Sequence, residues 1–77
     1  MPVWTVYSRA DCSLCERLLE ELADLLGPAA AADVQVVDIA GQAELERRYG
    51  ARIPVLTADG EFVCVYRLDT ERVRALL

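Results

Sequence analysis

At 77 residues and 55% hydrophobic content the chain has enough apolar mass for one core and no room for a second, so residues 1–77 are read as one domain. Its eight basic residues are all arginine and are outnumbered by thirteen acids, for a net charge of −5, a balance that speaks against nucleic acid or an anionic membrane as partner. There is no histidine, which excludes a Cys-His nucleophile pair, a Ser-His-Asp triad and any His-bearing zinc site.

The start, Met1-Pro2-Val3-Trp4, lacks the basic and apolar regions of a signal peptide, and no apolar run approaches the roughly 18 residues of a membrane span. The expected location is therefore cytoplasmic, where thiols are kept reduced.

Val3 to Tyr7 is apolar, β-branched and aromatic, and predicts a buried first strand. From Leu14 the apolar positions Leu14, Cys15, Leu18, Leu19, Leu22, Leu25 and Leu26 recur at helical spacing, with Gly27-Pro28 as the stop. Glu16, Arg17, Glu20, Glu21 and Asp24 fill the other face, with Arg17 and Glu21 spaced to pair. Ala29 to Asp33 reads as a loop or one ragged extra turn. Val34 to Asp38 is a second strand, apolar enough to be covered on both faces and, across a helical crossover, parallel to the first. Gln42 to Tyr49 is a short helix with Leu45 and Tyr49 inward and Glu44 paired to Arg48 outside. Ile53 to Leu56 and Glu61 to Tyr66 form an antiparallel pair about the hairpin signal Asp59-Gly60. Asp69 is placed to cap a last helix whose buried stripe is Val73, Leu76 and Leu77. The order is β-α-β-α-β-β-α.

Cys12-Ser13-Leu14-Cys15 sits where the first strand turns into the first helix. A helix start offers unpaired N–H groups and a positive dipole end, and both favour a thiolate over a thiol. Thiolate fraction governs reactivity at neutral pH, so the pair is placed for reversible disulfide chemistry. Arg9 and the helix end act to lower the Cys12 pKa and Asp11 to raise it, with a net depression below the free-thiol value of about 8.5 expected. Cys64, between Val63 and Val65, shares a face with Phe62 and Tyr66 by strict alternation and is read as a buried structural cysteine. Three thiols are one short of a four-cysteine metal site, so no metal is expected within one chain. Of Arg47, Arg48 and Arg52, Arg52 is nearest the proposed groove and is the candidate for holding a carboxylate; Tyr7, at the strand end, is a candidate lining residue.

Taken together, Tyr7 to Cys15, the run Arg52-Ile53-Pro54-Val55 and the element order resemble the small bacterial glutaredoxin-like proteins of the thioredoxin-fold superfamily. The resemblance implies a thioredoxin-like α/β fold with a mixed four-stranded sheet. It implies that Cys12 is the attacking thiol and Cys15 the resolving one. It also implies that Pro54 is a cis-proline packed beside the cysteines and presenting the Ile53 backbone to an extended peptide or to glutathione. Two stretches depart from the usual pattern. Ser13-Leu14 stands between the cysteines in place of Pro-Tyr or Pro-Phe. Tyr66-Arg67-Leu68-Asp69-Thr70 replaces a Gly-Gly and the acidic residues after it, leaving Asp69 and Thr70 as the candidate helix-start contacts.

The expected activity is thus thiol–disulfide oxidoreduction on a disulfide-bearing protein or a low-molecular-weight thiol. The chain is expected to act as a monomer with no bound cofactor, and glutathione is the candidate reductant. The alternative is a non-catalytic binding or scaffold module, such as an iron–sulfur cluster carrier or a partner-recognition domain.

Overall fold

A computed structural model describes residues 2–77, running β1 (Trp4–Ser8), α1 (Ser13–Leu26), α2 (Pro28–Ala31), β2 (Gln35–Asp38), α3 (Ala43–Tyr49), β3 (Val55–Ala58), β4 (Glu61–Val65) and α4 (Thr70–Ala75). The strands form one mixed sheet in the order β2-β1-β3-β4, parallel between β1 and β2 and antiparallel across the other two pairs. The expected mixed four-stranded α/β architecture is present, with α2 as an added single turn at the place read as a loop or ragged turn.

Alternation along β1 sends Trp4, Val6 and Ser8 to one face and Thr5 and Tyr7 to the other. The first face carries the main core, in which Trp4 and Val6 meet Leu18 and Leu22 of α1, Leu56, Val63 and Val73. On the second face Tyr7 stacks on Tyr49 of α3, with ring centroids 4.4 Å apart. Helix α1 buries Cys15, Leu18 and Leu22, while Leu14, expected on that stripe, is 40% exposed in the opening turn. The helix stops at Gly27, whose φ of +86° suits a residue without a Cβ, and Pro28 then opens α2 without losing a needed N–H.

Several local expectations are corrected. Strand β2 is the outer strand of the sheet and is not covered on both faces: Val36 is 53% exposed, because the buried residues of α1 cluster over β1 and β3 instead. Strand β3 begins at Val55, two residues later than expected, since Pro54 has no N–H for the ladder. It also runs on through Thr57 and Ala58, because the hairpin needs only Asp59 and Gly60, both at positive φ (51° and 83°).

Strand β4 breaks its alternation. Leu56 pairs with Cys64 but Thr57 pairs with Phe62, so Val63 is an extra residue in a bulge. Phe62 therefore leaves the face of Cys64 and is 57% exposed, while Val63 and Cys64 are both buried. The Val63 carbonyl accepts from Arg72 Nη1 at 2.9 Å, which occupies a hydrogen-bonding group at this outer strand.

Asp69 caps α4 as expected, its Oδ1 accepting from the Arg72 N–H at 3.1 Å. The expected stripe shrinks to Val73, because α4 ends at Ala75 and leaves Leu76 and Leu77 45% and 55% exposed. Among the described residues the ion pairs are Arg9–Glu46, Arg47–Glu44 and Arg72–Asp69, so neither Arg17–Glu21 nor Glu44–Arg48 forms. Arg48 instead lies over the Tyr49 ring, 5.3 Å from its centroid. Among the described residues no helix is long and apolar enough to cross a membrane.

Candidate dithiol site at one end of the sheet

The strand register gathers the sequence-predicted residues at one end of the sheet. Tyr7 pairs with Val55 and Val55 with Val65, so Ser8, Pro54 and Tyr66 form the next row. Tyr66 N–H donates to the Pro54 carbonyl at 3.0 Å, and Ile39 N–H donates to that of Ser8 at 2.9 Å. From this row leave the loop to Cys12, the loop from Ala51 to Pro54, and the connection to α4.

Cys12 is the N-cap of α1. Its backbone is extended (φ −108°, ψ 102°), and its Sγ accepts from the Cys15 N–H at 3.2 Å. The sulfur thus occupies the position that a Ser or Asp oxygen takes in an ordinary cap. A donor aimed at sulfur stabilises the ionised form over the neutral one. Cys15 lies within the first turn, its Cα 5.2 Å from that of Cys12, and the two sulfurs are joined. Exposure distinguishes the two: Cys12 is partly exposed and Cys15 is 2% exposed. Arg9, expected to act on the thiol, is paired with Glu46 Oε1 at 3.0 Å and serves α3.

The Ile53–Pro54 peptide is cis, and Pro54 is fully buried in the row beside Ser8. Ile53 is half-buried just ahead of it. Arg52 turns onto the last turn of α3, donating through Nη2 to the Arg48 carbonyl at 2.8 Å. That places its charge at a helix C-terminus, where a cation is favoured. Tyr7 stands in the penultimate row of β1 with its ring on Tyr49, so this stack walls the second face of the same end.

Residues 4–77 match the glutaredoxin-like domain family (DUF836). The uncharacterised protein Rv0508 of Mycobacterium tuberculosis is 32% identical over 78 residues, covering 96% of this chain and 80% of the relative. The solution structure of protein Ne2328 from Nitrosomonas europaea superposes with a TM-score of 0.83 at 34% identity, covering 100% of this chain and 93% of that one. The X-ray structure of target protein XcR50 from X. campestris gives 0.77 at 35% identity, covering 96% and 93%.

The chain belongs to the glutaredoxin-like family.

Its fold is accordingly thioredoxin-like, and a close cysteine pair at the α1 start is the redox-type feature of that fold. In this glutaredoxin-like protein Asp69 and Thr70 open α4 at the same end of the sheet. Asp69 is engaged with Arg72 on both carboxylate oxygens, Oδ1 to the backbone N–H at 3.1 Å and Oδ2 to Nε at 3.5 Å. Thr70 is the first helical residue and half-buried.

Tyr66, which no sequence motif marks, also lies at this end of the sheet. Its φ is +66°, and Arg67 N–H donates back to the Val65 carbonyl at 2.7 Å, which makes Tyr66 the centre of a γ-turn. An aromatic residue at positive φ is a genuine outlier, costing of order 1–3 kcal/mol. Its hydroxyl donates to the Ala51 carbonyl at 3.1 Å. The signal available in the sequence was the missing Gly-Gly: a tyrosine stands where a left-handed backbone is wanted.

Cys64 is the free thiol of the glutaredoxin-like chain and is 8% exposed. Burial pushes its pKa above the ordinary 9.0; the Asp69 carboxylate adds to this, while the Asp69 N–H and Arg72 oppose it. The unfolded thiol ionises first as pH rises, so this group's contribution to stability is full below 9.0 and declines above it. Urea titrations are expected to show stability falling from about pH 9 upward, with that part of the fall absent in Cys64→Ala. An identical pH profile in the variant would exclude Cys64 as the source.

Proposed function

We propose that this protein is a thiol–disulfide oxidoreductase, with Cys12 as nucleophile and Cys15 as resolving thiol. The observation that carries the reading is the Cys12 sulfur capping α1 while Cys15 is buried one turn in. In the reduced protein the Cys12 thiolate attacks one sulfur of a substrate disulfide. That S–S bond breaks, its second sulfur leaves as a thiolate and takes up a proton, and a mixed disulfide remains on Cys12. Cys15, as thiolate, then attacks the Cys12 sulfur, displaces the second substrate thiol and closes the Cys12–Cys15 bond. The substrate gains two electrons and the dithiol loses two, so an external thiol must regenerate the protein; glutathione is the candidate.

The substrate is a protein disulfide or a low-molecular-weight one, met by a monomer in the cytoplasm. Pro54 removes a donor from the strand end, and Ile53, just before it, is the backbone a substrate would lie against. Tyr7, Arg52, Asp69 and Thr70 surround that place.

The test is Cys15→Ser. An exchanger lacking its resolving thiol accumulates a mixed disulfide on Cys12, detectable as an adduct by intact mass, whereas a scaffold module yields none. In the unsubstituted protein, titration in thiol buffers is expected to show a two-electron couple between about −180 and −270 mV. A couple below about −300 mV, or no disulfide at any poise, rejects the catalytic reading.

A further inference from the structure

Tyr66 grips the loop beside the dithiol at two points. Its N–H donates to the Pro54 carbonyl at 3.0 Å and its hydroxyl to the Ala51 carbonyl at 3.1 Å, so one residue holds both ends of the Ala51–Pro54 segment. Outside this grip the segment has one backbone hydrogen bond beyond the strand ladders, Arg52 N–H to the Tyr49 carbonyl at 2.8 Å. The tyrosine does this from φ +66°, a conformation that glycine takes freely and an aromatic side chain does not. Such an outlier persists where the surrounding contacts over-determine it, and here those contacts are the two loop carbonyls. Tyr66 as a whole stays 45% exposed, so the contact is not made to fill the core.

We propose that Tyr66 is a positioning residue of the exchange site: it fixes the Ala51–Pro54 loop so that the Ile53 backbone offers a ready edge to an extended polypeptide carrying the substrate disulfide. The inference rests on the exchange reading and narrows its substrate class, from any accessible disulfide to one embedded in a strand-like polypeptide segment. A disulfide without amide groups can form no main-chain hydrogen bonds to the loop and draws nothing from it. A polypeptide gains main-chain hydrogen bonds, and those depend on the loop being held before the substrate arrives. The hydroxyl of Tyr66 thus acts on substrate binding and leaves the sulfur chemistry alone.

The experiment measures mixed-disulfide formation on Cys15→Ser protein, with Tyr66 intact, as Tyr66→Phe and as Tyr66→Gly. The probes are a disulfide within a ten-residue peptide and bis(2-hydroxyethyl) disulfide. Tyr66→Phe removes one hydrogen bond to the loop, and is expected to raise the half-saturating peptide concentration about three- to tenfold with the limiting rate unchanged. The rate with the small disulfide is expected to stay within about twofold, since no hydrogen bond to it is lost. Tyr66→Gly keeps the backbone turn without strain and is expected to lose peptide affinity at least as far while folding normally. Unchanged peptide saturation, or an equal loss with both probes, overturns the proposal.

Amide hydrogen exchange of residues 51–53 gives a second readout that needs no reactive thiol. Faster exchange in Tyr66→Phe supports the grip, and unchanged exchange overturns it whatever the chemistry. If Cys12 reacts with neither probe in any variant, the exchange reading itself falls and the positioning role with it.

Discussion

Leu22→Ala is expected to destabilise the protein by about 2 to 5 kcal/mol, the range for truncating a buried leucine and leaving its cavity. Leu22 is completely buried, in the cluster formed with Trp4, Val6, Leu18, Leu56 and Val73. The cluster joins α1 to three strands and α4, so little can relax into the space without disturbing the sheet. A 77-residue domain has a margin of only a few kcal/mol, on the order of the loss itself. Urea unfolding should therefore show the midpoint shifted to low denaturant, or no folded baseline at 25 °C. Leu14→Ala, on the same helix but 40% exposed, is the internal comparison and should cost under about 1 kcal/mol. Equal effects at the two positions would mean that the core does not lie where the packing places it.

Cys12→Ser is expected to lower disulfide exchange by at least about a thousandfold, since it removes the proposed nucleophile and no neighbouring group can replace it. The chain has no histidine, and Cys15 is buried where an external disulfide does not reach. The fold should survive, because serine is among the preferred N-cap residues and its hydroxyl can accept from the Cys15 N–H in place of sulfur. Far-ultraviolet circular dichroism and the thermal midpoint of the reduced protein check that half of the expectation, and exchange rates check the other. Cys64→Ala provides the control for cysteine loss as such. Its thiol is buried in β4, so exchange should be unaffected. Residual exchange in Cys12→Ser above a tenth of the original rate would reassign the nucleophile.

Much of the site was legible without coordinates because it is local. Cys12 and Cys15 belong to one turn of one helix, so spacing alone places them together, and the same is true of the cap Asp69 and the turn Asp59-Gly60. What was not legible depends on contacts between distant segments. Arg9 stands close to Cys12 in sequence, yet it reaches across to Glu46 of α3. Arg52 is placed by spacing near the loop before Pro54, but that its guanidinium donates to the Arg48 carbonyl follows only from how α3 ends. Tyr66 looked like the end of an alternating strand until the extra residue at Val63 shifted the register and the backbone turned to positive φ.

The sequence by itself determined the α/β class and the closeness of the two cysteines at the α1 start, because periodicity, caps, turns and a C-x-x-C spacing are properties of a few consecutive residues. The tertiary structure alone decided which strand lies at the edge, which face of β4 each side chain takes, and which side chains hold the loop before Pro54. Those outcomes depend on which strands pair and in what register, and one residue of slip in a pairing reverses every side chain beyond it.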